Sequence, residues 1–222
     1  MLPTAVIFDL DGTLLDTERL YSLATQELID PYGKTFDLTL KRKVMGGDPR
    51  VGAALVIESL DLPFSIDVFL KKRSVILEKL LGNAQEIPGA GEFLYELNRQ
   101  GVPLALATSS TKALCQLKLR RHRWKTIFSE IVCGDNPNLR NPKPAPDIFL
   151  MAARGLAQMP YDCFVFEDSV SGVTAAVAAG MTVVAIDSPY VERDDLKEAK
   201  VIIENYRQCS ALFDSCGNTD NT

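Results

Sequence analysis

Apolar residues fall along this 222-residue chain in two patterns that take turns. Short, almost continuous apolar runs occupy 5–9, 103–108, 131–133, 163–166, 182–186 and 201–203. Such runs are how strands buried on both faces read. Between them the apolar spacing widens to helical periodicity, with helix punctuation at the ends. A helix over 91–100 stops at Gly101, one over 111–121 starts at a Ser/Thr cap, and one over 146–154 stops at Gly155. Residues 169–186 carry no charge, yet a small-residue helix closed by Gly180 and followed by the strand 182–186 explains them better than a membrane span. Strands alternating with helices predict an α/β fold, a doubly wound parallel sheet of Rossmann-like kind.

The first two strands are too far apart in sequence for a single crossover. The stretch between them reads as helical: 17–29 behind an Asp16 cap and before Pro31, 51–60 behind Asp48-Pro49, and 65–81 before Gly82. The expected organisation is therefore a core domain of 1–16 and 83–222, with a helical cap domain of 17–82 inserted after the first strand.

Composition narrows the partners. At 46% apolar and 24% charged residues the chain can bury a sizeable core without disulfide staples. Lys and Arg number 24 against 29 Asp and Glu, a net charge of −5 that disfavours nucleic acid and anionic membrane surfaces. Five cysteines form no C-x-x-C pair and the apolar run 5–8 is too short for a secretory leader, so free thiols and a cytoplasmic location are expected. Cys133 and Cys163 lie in apolar runs and read as small core residues. The single histidine, His122, excludes any multi-histidine metal site. It sits in the basic run 118–125, which closes a predicted helix and reads as a solvated helix end, with His122 at the surface.

In an open parallel sheet, ligands bind beyond the C-terminal ends of the strands. The chemically distinctive residues of this chain sit at those ends: Asp9-Leu10-Asp11-Gly12-Thr13, then Thr108-Ser109-Ser110, then Lys143 between prolines, then Glu167-Asp168. Acids, a lysine and hydroxyls on one edge suit phosphoryl transfer. A carboxylate can approach a phosphate dianion only where a hard cation and fixed donors neutralise the phosphate oxygens. Taken singly, each piece has a plainer reading: a turn after a strand, helix caps, a solvated loop lysine. Their conjunction in chain order favours a site.

The same residues carry a family resemblance. Asp9-Leu10-Asp11-Gly12-Thr13, Thr108, Lys143 within Lys-Pro-x-Pro-Asp, and Glu167-Asp168 resemble the four motifs of the haloacid dehalogenase-like hydrolase superfamily. The helical insertion is similar to the small cap of its phosphatase-mutase branch. Stretches such as Asp16-Thr17-Glu18-Arg19-Leu20-Tyr21-Ser22 and Ala178-Ala179-Gly180-Met181 add to that likeness. The resemblance implies a phosphomonoester hydrolase using Mg2+, acting on pseudouridine 5'-phosphate or a similar sugar or nucleotide monophosphate. It makes Asp9 the nucleophile and Asp11 the acid and base. It assigns the metal to Asp9, the Asp11 backbone carbonyl and Asp168, with Glu167 close or acting through water. Thr108, the Ser109 amide and Lys143 would hold the phosphoryl group. Mutases of the branch carry a cap histidine where this chain has Tyr21, so hydrolysis is expected over mutase chemistry. A phosphorylation-switched binding module is the non-enzymatic alternative. Tyr21, Gly46, Gly47 and Arg50 are candidates for specificity, although 46–49 also reads as a plain inter-helix turn. A small-molecule substrate and a monomer are expected.

Overall fold

The computed structural model describes residues 3–44 and 48–209. Six parallel strands make one sheet: β1 (Ala5–Phe8), β2 (Leu104–Thr108), β3 (Glu130–Cys133), β4 (Cys163–Glu167), β5 (Thr182–Ile186) and β6 (Val201–Ile203), in the order β3-β2-β1-β4-β5-β6. Every apolar run named above became a strand, to within a residue at each end. The order reverses at β1, which pairs with β2 on one side and β4 on the other, Phe8 standing opposite Leu106 and Phe166. That switch point opens a crevice beyond the C-terminal ends of β1 and β4.

Helices cover both faces, as crossover connections require. On one face Val6, Phe8, Leu106 and Phe166 pack with α5 (Ala90–Arg99), α6 (Lys112–Leu119) and Trp124. On the other, Ile7, Ala105, Ala107 and Val165 pack with α7 (Asp147–Gly155) and α8 (Val170–Ala178). The alternation within each strand therefore feeds two separate apolar layers, which is why the runs look continuous in sequence.

Among the described residues, four helices lie between β1 and α5: α1 (Glu18–Ile29), α2 (Leu38–Val44), α3 (Pro49–Leu60) and α4 (Ile66–Leu81). They have an apolar cluster of their own, with Ile29, Ala53, Val56 and Phe69 buried among them. Leu77 and Leu81 of α4 and Ala24 of α1 pack against Leu114 and Leu117 of α6, which seats this layer over the sheet edge. The seven-residue α2 was not anticipated; its run Leu38-Thr39-Leu40-Lys41-Arg42-Lys43-Val44 is too short to show a period. Asp48 does cap α3, its Oδ1 accepting from the Arg50 and Val51 amides at 2.7 and 3.2 Å. Asp16 does not cap α1. Thr17 stands at that position without a side-chain capping bond, because its hydroxyl is used elsewhere. The charge-free stretch resolves into α8 and β5, and no helix among the described residues is long and apolar enough to cross a membrane.

Candidate active site

Asp9 follows β1 directly, and its amide donates to the Phe166 carbonyl at 3.0 Å, which fixes it beside the end of β4. Glu167 ends β4 and Asp168 comes next, so three carboxyls of the sheet edge face each other across the switch point. Lys143 reaches the same place from the β3–α7 connection. Its ammonium donates to Asp9 Oδ1 and Glu167 Oε1, both at 2.7 Å, and to the Ala107 carbonyl at 3.2 Å. Only 4% of that side chain is exposed. Burial works against its charge, but the two carboxylates outweigh burial and hold its pKa above the ordinary lysine value.

Two glycines create the space. Gly12 has φ +81°, and a Cβ there would stand 2.0 Å from Asp168 Oδ2. Gly172, in α8, would place a Cβ 1.7 Å from Glu167 Oε1. Any side chain at either position displaces a carboxylate of the site.

Glu167 Oε1 accepts from Lys143, and its Oε2 accepts from the Asp168 amide, the Ser169 amide and the Ser169 hydroxyl, each at 2.9 Å. With both oxygens engaged and the side chain buried, Glu167 orients Lys143 and the start of α8. Asp168 is the opposite case. Its Oδ1 accepts from Thr13 Oγ1 at 3.1 Å and its Oδ2 takes no side-chain or backbone donor among the described residues. Burial, with Glu167 and Asp9 adding repulsion, drives its pKa well up. Burial likewise pushes Asp9 up to about 7, Lys143 opposing and Glu167 and Asp11 reinforcing the shift. Two buried, mutually repelling carboxylates, one with an oxygen short of donors, make a hard-oxygen set suited to a divalent cation. Among the described residues no three acid, histidine or cysteine side chains form a cage.

Asp11 turns away from this cluster. Oδ1 accepts from Lys118 Nζ at 2.5 Å and from Thr17 Oγ1 at 2.6 Å; Oδ2 accepts from Ser110 Oγ at 2.8 Å, with Thr108 Oγ1 3.5 Å away. Burial alone would raise its pKa. Lys118 and the Thr17 and Ser110 hydroxyls outweigh burial and hold it below the ordinary carboxylate value.

Lys118 corrects the reading of the basic run as a solvated helix end. Its side chain is 0% exposed, it also donates to Ser110 Oγ at 2.7 Å, and its ammonium lies 5.7 Å from the centroid of the Tyr21 ring. The sequence carries no signal that singles it out, since Lys118 stands between Leu117 and Leu119 at the head of a basic run. The rest of the run is mixed. Trp124 is core, its indole donating to Glu86 Oε1 at 2.7 Å, and His122 is partly buried between Glu86, the Ala84 carbonyl and the Trp124 ring.

A cavity of about 390 Å³ joins these groups. Asp9, Asp11, Lys143 and Asp168 line its floor, Ser109 and Ser110 one wall, and Glu18, Tyr21 and Pro49 of the helical layer its roof. Thr108 is buried beneath, accepting from the Ser110 amide at 3.1 Å. Of the specificity candidates, Tyr21 lines the cavity. Arg50 does not; it is exposed and pairs with Asp67 of α4 at 2.5 Å. Gly46 and Gly47 lie outside the described residues. Cys133 and Cys163 are free and buried, as expected.

Comparison with known proteins agrees with this site. The haloacid dehalogenase-like hydrolase family profile matches residues 6–186. The chain is 42% identical over 204 residues to a Drosophila melanogaster protein named probable pseudouridine-5'-phosphatase, covering 90% of this chain and 88% of that one. It is 36% identical to the phosphorylated carbohydrates phosphatase of Thermotoga maritima, covering 90% of each. Among solved structures, a haloacid dehalogenase family hydrolase from Deinococcus radiodurans R1 with bound phosphate and sodium superposes with a TM-score of 0.82 at 27% identity, over 96% of this chain and 95% of that one. A match over most of the chain, with relatives this similar along nearly their whole lengths, means that the chain belongs to the haloacid dehalogenase-like hydrolase family and is a phosphoric monoester hydrolase.

Proposed function

We propose that this enzyme hydrolyses a small phosphomonoester through a phosphorylated Asp9, with magnesium as its metal. The observation that supports it most is the placement of Asp9 beside Lys143 and Asp168 at the switch point, with Asp11 two residues on beneath the helical layer. Asp9 and Asp168 side chains and the Asp11 backbone carbonyl would hold the cation. When bound, the cation supplies positive charge that neutralises phosphate oxygens and relieves the repulsion between Asp9 and Asp168. Lys143 adds charge on the same side, and the Ser109 amide offers a donor to a remaining phosphoryl oxygen.

Atoms and protons balance as follows. An Asp9 carboxylate oxygen bonds to phosphorus while the bond from phosphorus to the ester oxygen breaks, and a proton on Asp11 passes to that oxygen, freeing an alcohol. A water oxygen then bonds to phosphorus, the link to Asp9 breaks, and a water proton returns to Asp11. The roof formed by residues 17–82 acts as a lid that limits bulk water and carries substrate preference through Tyr21 and Pro49. No histidine lines the cavity, and His122 is engaged elsewhere. This leaves water without a competing activated sugar hydroxyl and favours hydrolysis over mutase chemistry. The relatives' names point to a sugar, polyol or nucleoside monophosphate, with pseudouridine 5'-phosphate the first to try.

The test is phosphate release from a panel of such esters by the wild-type chain, Asp9→Asn, and wild type with EDTA and restored magnesium. Asp9→Asn should keep its fold and lose nearly all turnover, because an amide cannot form the acyl phosphate. Unchanged hydrolysis after Asp9→Asn, or with metal removed, would sink the reading.

A further inference from the structure

Another cavity, of about 310 Å³, lies on the α6 side of the sheet and shares no described lining residue with the catalytic one. Cys115 and Cys133 both line it, with Lys112, Gln116, Ile131 and Asp135 around them. The topology brings the two together. Side chains alternate along β3, so Val132 joins the layer under α7 while Cys133 joins the layer under α6. Cys115 is buried in the first turn of α6, in the same apolar cluster as Cys133. Both are free, and their thiols are hydrogen-bond partners. That bond holds Cys133 below the ordinary cysteine value and Cys115 above it, which favours a thiolate on Cys133 beside a protonated thiol. Two packing cysteines need neither a cavity nor each other, whereas a redox pair needs both.

The end of β3 that carries Cys133 also supports the loop that holds Ser109. Cys133 stands opposite Thr108 in the parallel register. The Gly134 amide donates to the Ser110 carbonyl at 2.9 Å, and a Cβ on Gly134 would stand 2.3 Å from the Ser109 carbonyl oxygen. The Lys112 amide, at the start of α6, donates to Asp135 Oδ1 at 2.9 Å. Residues 108–110 are thus tied to the strand end and run straight into the helix that the two cysteines join.

We propose that Cys115 and Cys133 are a redox-modified pair, closed to a disulfide by a hydroperoxide and reopened by a thiol reductant, with slower turnover in the closed form. The Cys133 sulfur bonds to the outer peroxide oxygen, the O–O bond breaks, and the departing oxygen leaves as an alcohol or water after taking a proton. The Cys115 sulfur then bonds to the Cys133 sulfur, and the S–O bond breaks. That oxygen leaves as water with the Cys115 proton. Two thiols are oxidised by two electrons and one peroxide is reduced. An S–S bond is about 2.05 Å long, shorter than the separation of hydrogen-bonded thiols. Closing it draws the first turn of α6 toward the end of β3 and shifts Ser109, which is packed against both. The slower turnover rests on the reading of the Ser109 amide as a phosphoryl donor; the cross-link does not.

The test uses the full-length enzyme with magnesium, treated with hydrogen peroxide, blocked with N-ethylmaleimide and digested with trypsin. Mass spectrometry should find peptide 113–118 joined to peptide 126–140 with the loss of two hydrogens. Hydrolysis of 4-nitrophenyl phosphate should fall about tenfold, as a displaced phosphoryl donor requires, and return with dithiothreitol. Absence of the joined peptides, or either cysteine joined to Cys163 or Cys209 instead, overturns the pairing. A cross-linked enzyme within about twofold of the reduced rate overturns the switch. Cys115→Ala should keep its reduced rate within about twofold, form a dimedone-reactive sulfenic acid at Cys133, and lose less than about twofold on oxidation. A loss equal to that of the wild type overturns the switch, because oxidation of one sulfur would then suffice. Should Cys115→Ala not fold, the wild-type peptide map and the dithiothreitol recovery decide alone. If the reduced wild type hydrolyses no ester, the proposed function falls, while the peptide map still decides the pairing.

Discussion

Asp9 and Asp11 are two residues apart in one loop, each meets a buried lysine, and their settings are opposite. Asp9 shares Lys143 with Glu167 and lies near Asp168, so one ammonium serves a crowd of carboxylates and Asp9 is pushed up to about 7. Asp11 has Lys118 to itself, with Thr17 and Ser110 donating as well, and is held low despite burial. The first setting is short of positive charge and invites a cation and a phosphate between them. The second is already balanced and keeps Asp11 as a carboxylate, which suits a group that takes a proton from water. One loop thus supplies two carboxyls for two tasks because neighbouring elements, not the loop, set their charge.

The contrast can be broken from either side. The largest effect is expected at Lys143. Lys143→Met removes the side-chain cation that pairs with Asp9 and should lower kcat by about a thousandfold, at the upper end for one preorganised electrostatic group. Steady-state phosphate release measures it, and a loss under tenfold would mean that Lys143 is not the counter-charge implied by its three bonds. Next comes Gly172→Ala. Its methyl would collide with Glu167 Oε1 and should cost about 2 kcal/mol of stability by overpacking, with a drop in kcat of tens of fold as Glu167 and Lys143 shift. Urea unfolding and kcat read the two parts separately; retention of both would show that Glu167 is not held where it stands.

Effects on the Asp11 side should be smaller. Thr17→Val deletes the hydroxyl that donates to Asp11 Oδ1 and should cost about 1 kcal/mol, roughly fivefold in kcat, while KM holds. A change confined to KM would place Thr17 in substrate binding instead. Smallest of all, Arg50→Ala should leave kcat/KM within about twofold for every ester of the panel, since an exposed ion pair with Asp67 carries little. A changed substrate ranking would return Arg50 to the specificity candidates.

The two sides also differ in how far they can be read without coordinates. Strand ends announce themselves: apolar runs locate β1, β2 and β4, the sheet brings their C-terminal ends together, and Asp9, Asp11 and Asp168 follow from that alone. Lys143 lies in a loop, but its place between prolines at the end of β3 put it on the same edge. Lys118 and Thr17 gave no such notice. A lysine in a basic run looks solvated until the helix carrying it is known to lie against both a sheet and a helical cap. A threonine at a helix start looks like a cap until its hydroxyl is seen to turn inward. Glu167 was legible as a residue of the site but not in its task, because only coordinates show that both its oxygens are already taken.

Sequence by itself determined the parallel sheet, the insertion after its first strand and the carboxylates and lysine at its edge, since these depend on short-range periodicity and on a general rule of where strand ends meet. Tertiary structure decided which lysine serves which carboxyl, which carboxyl oxygens are already engaged and which residues of the cap reach the cavity. Those depend on contacts between residues as far apart as Asp11 and Lys118 or Asp9 and Lys143, where burial and a few tenths of an ångström set the balance of charge, and no local pattern encodes them.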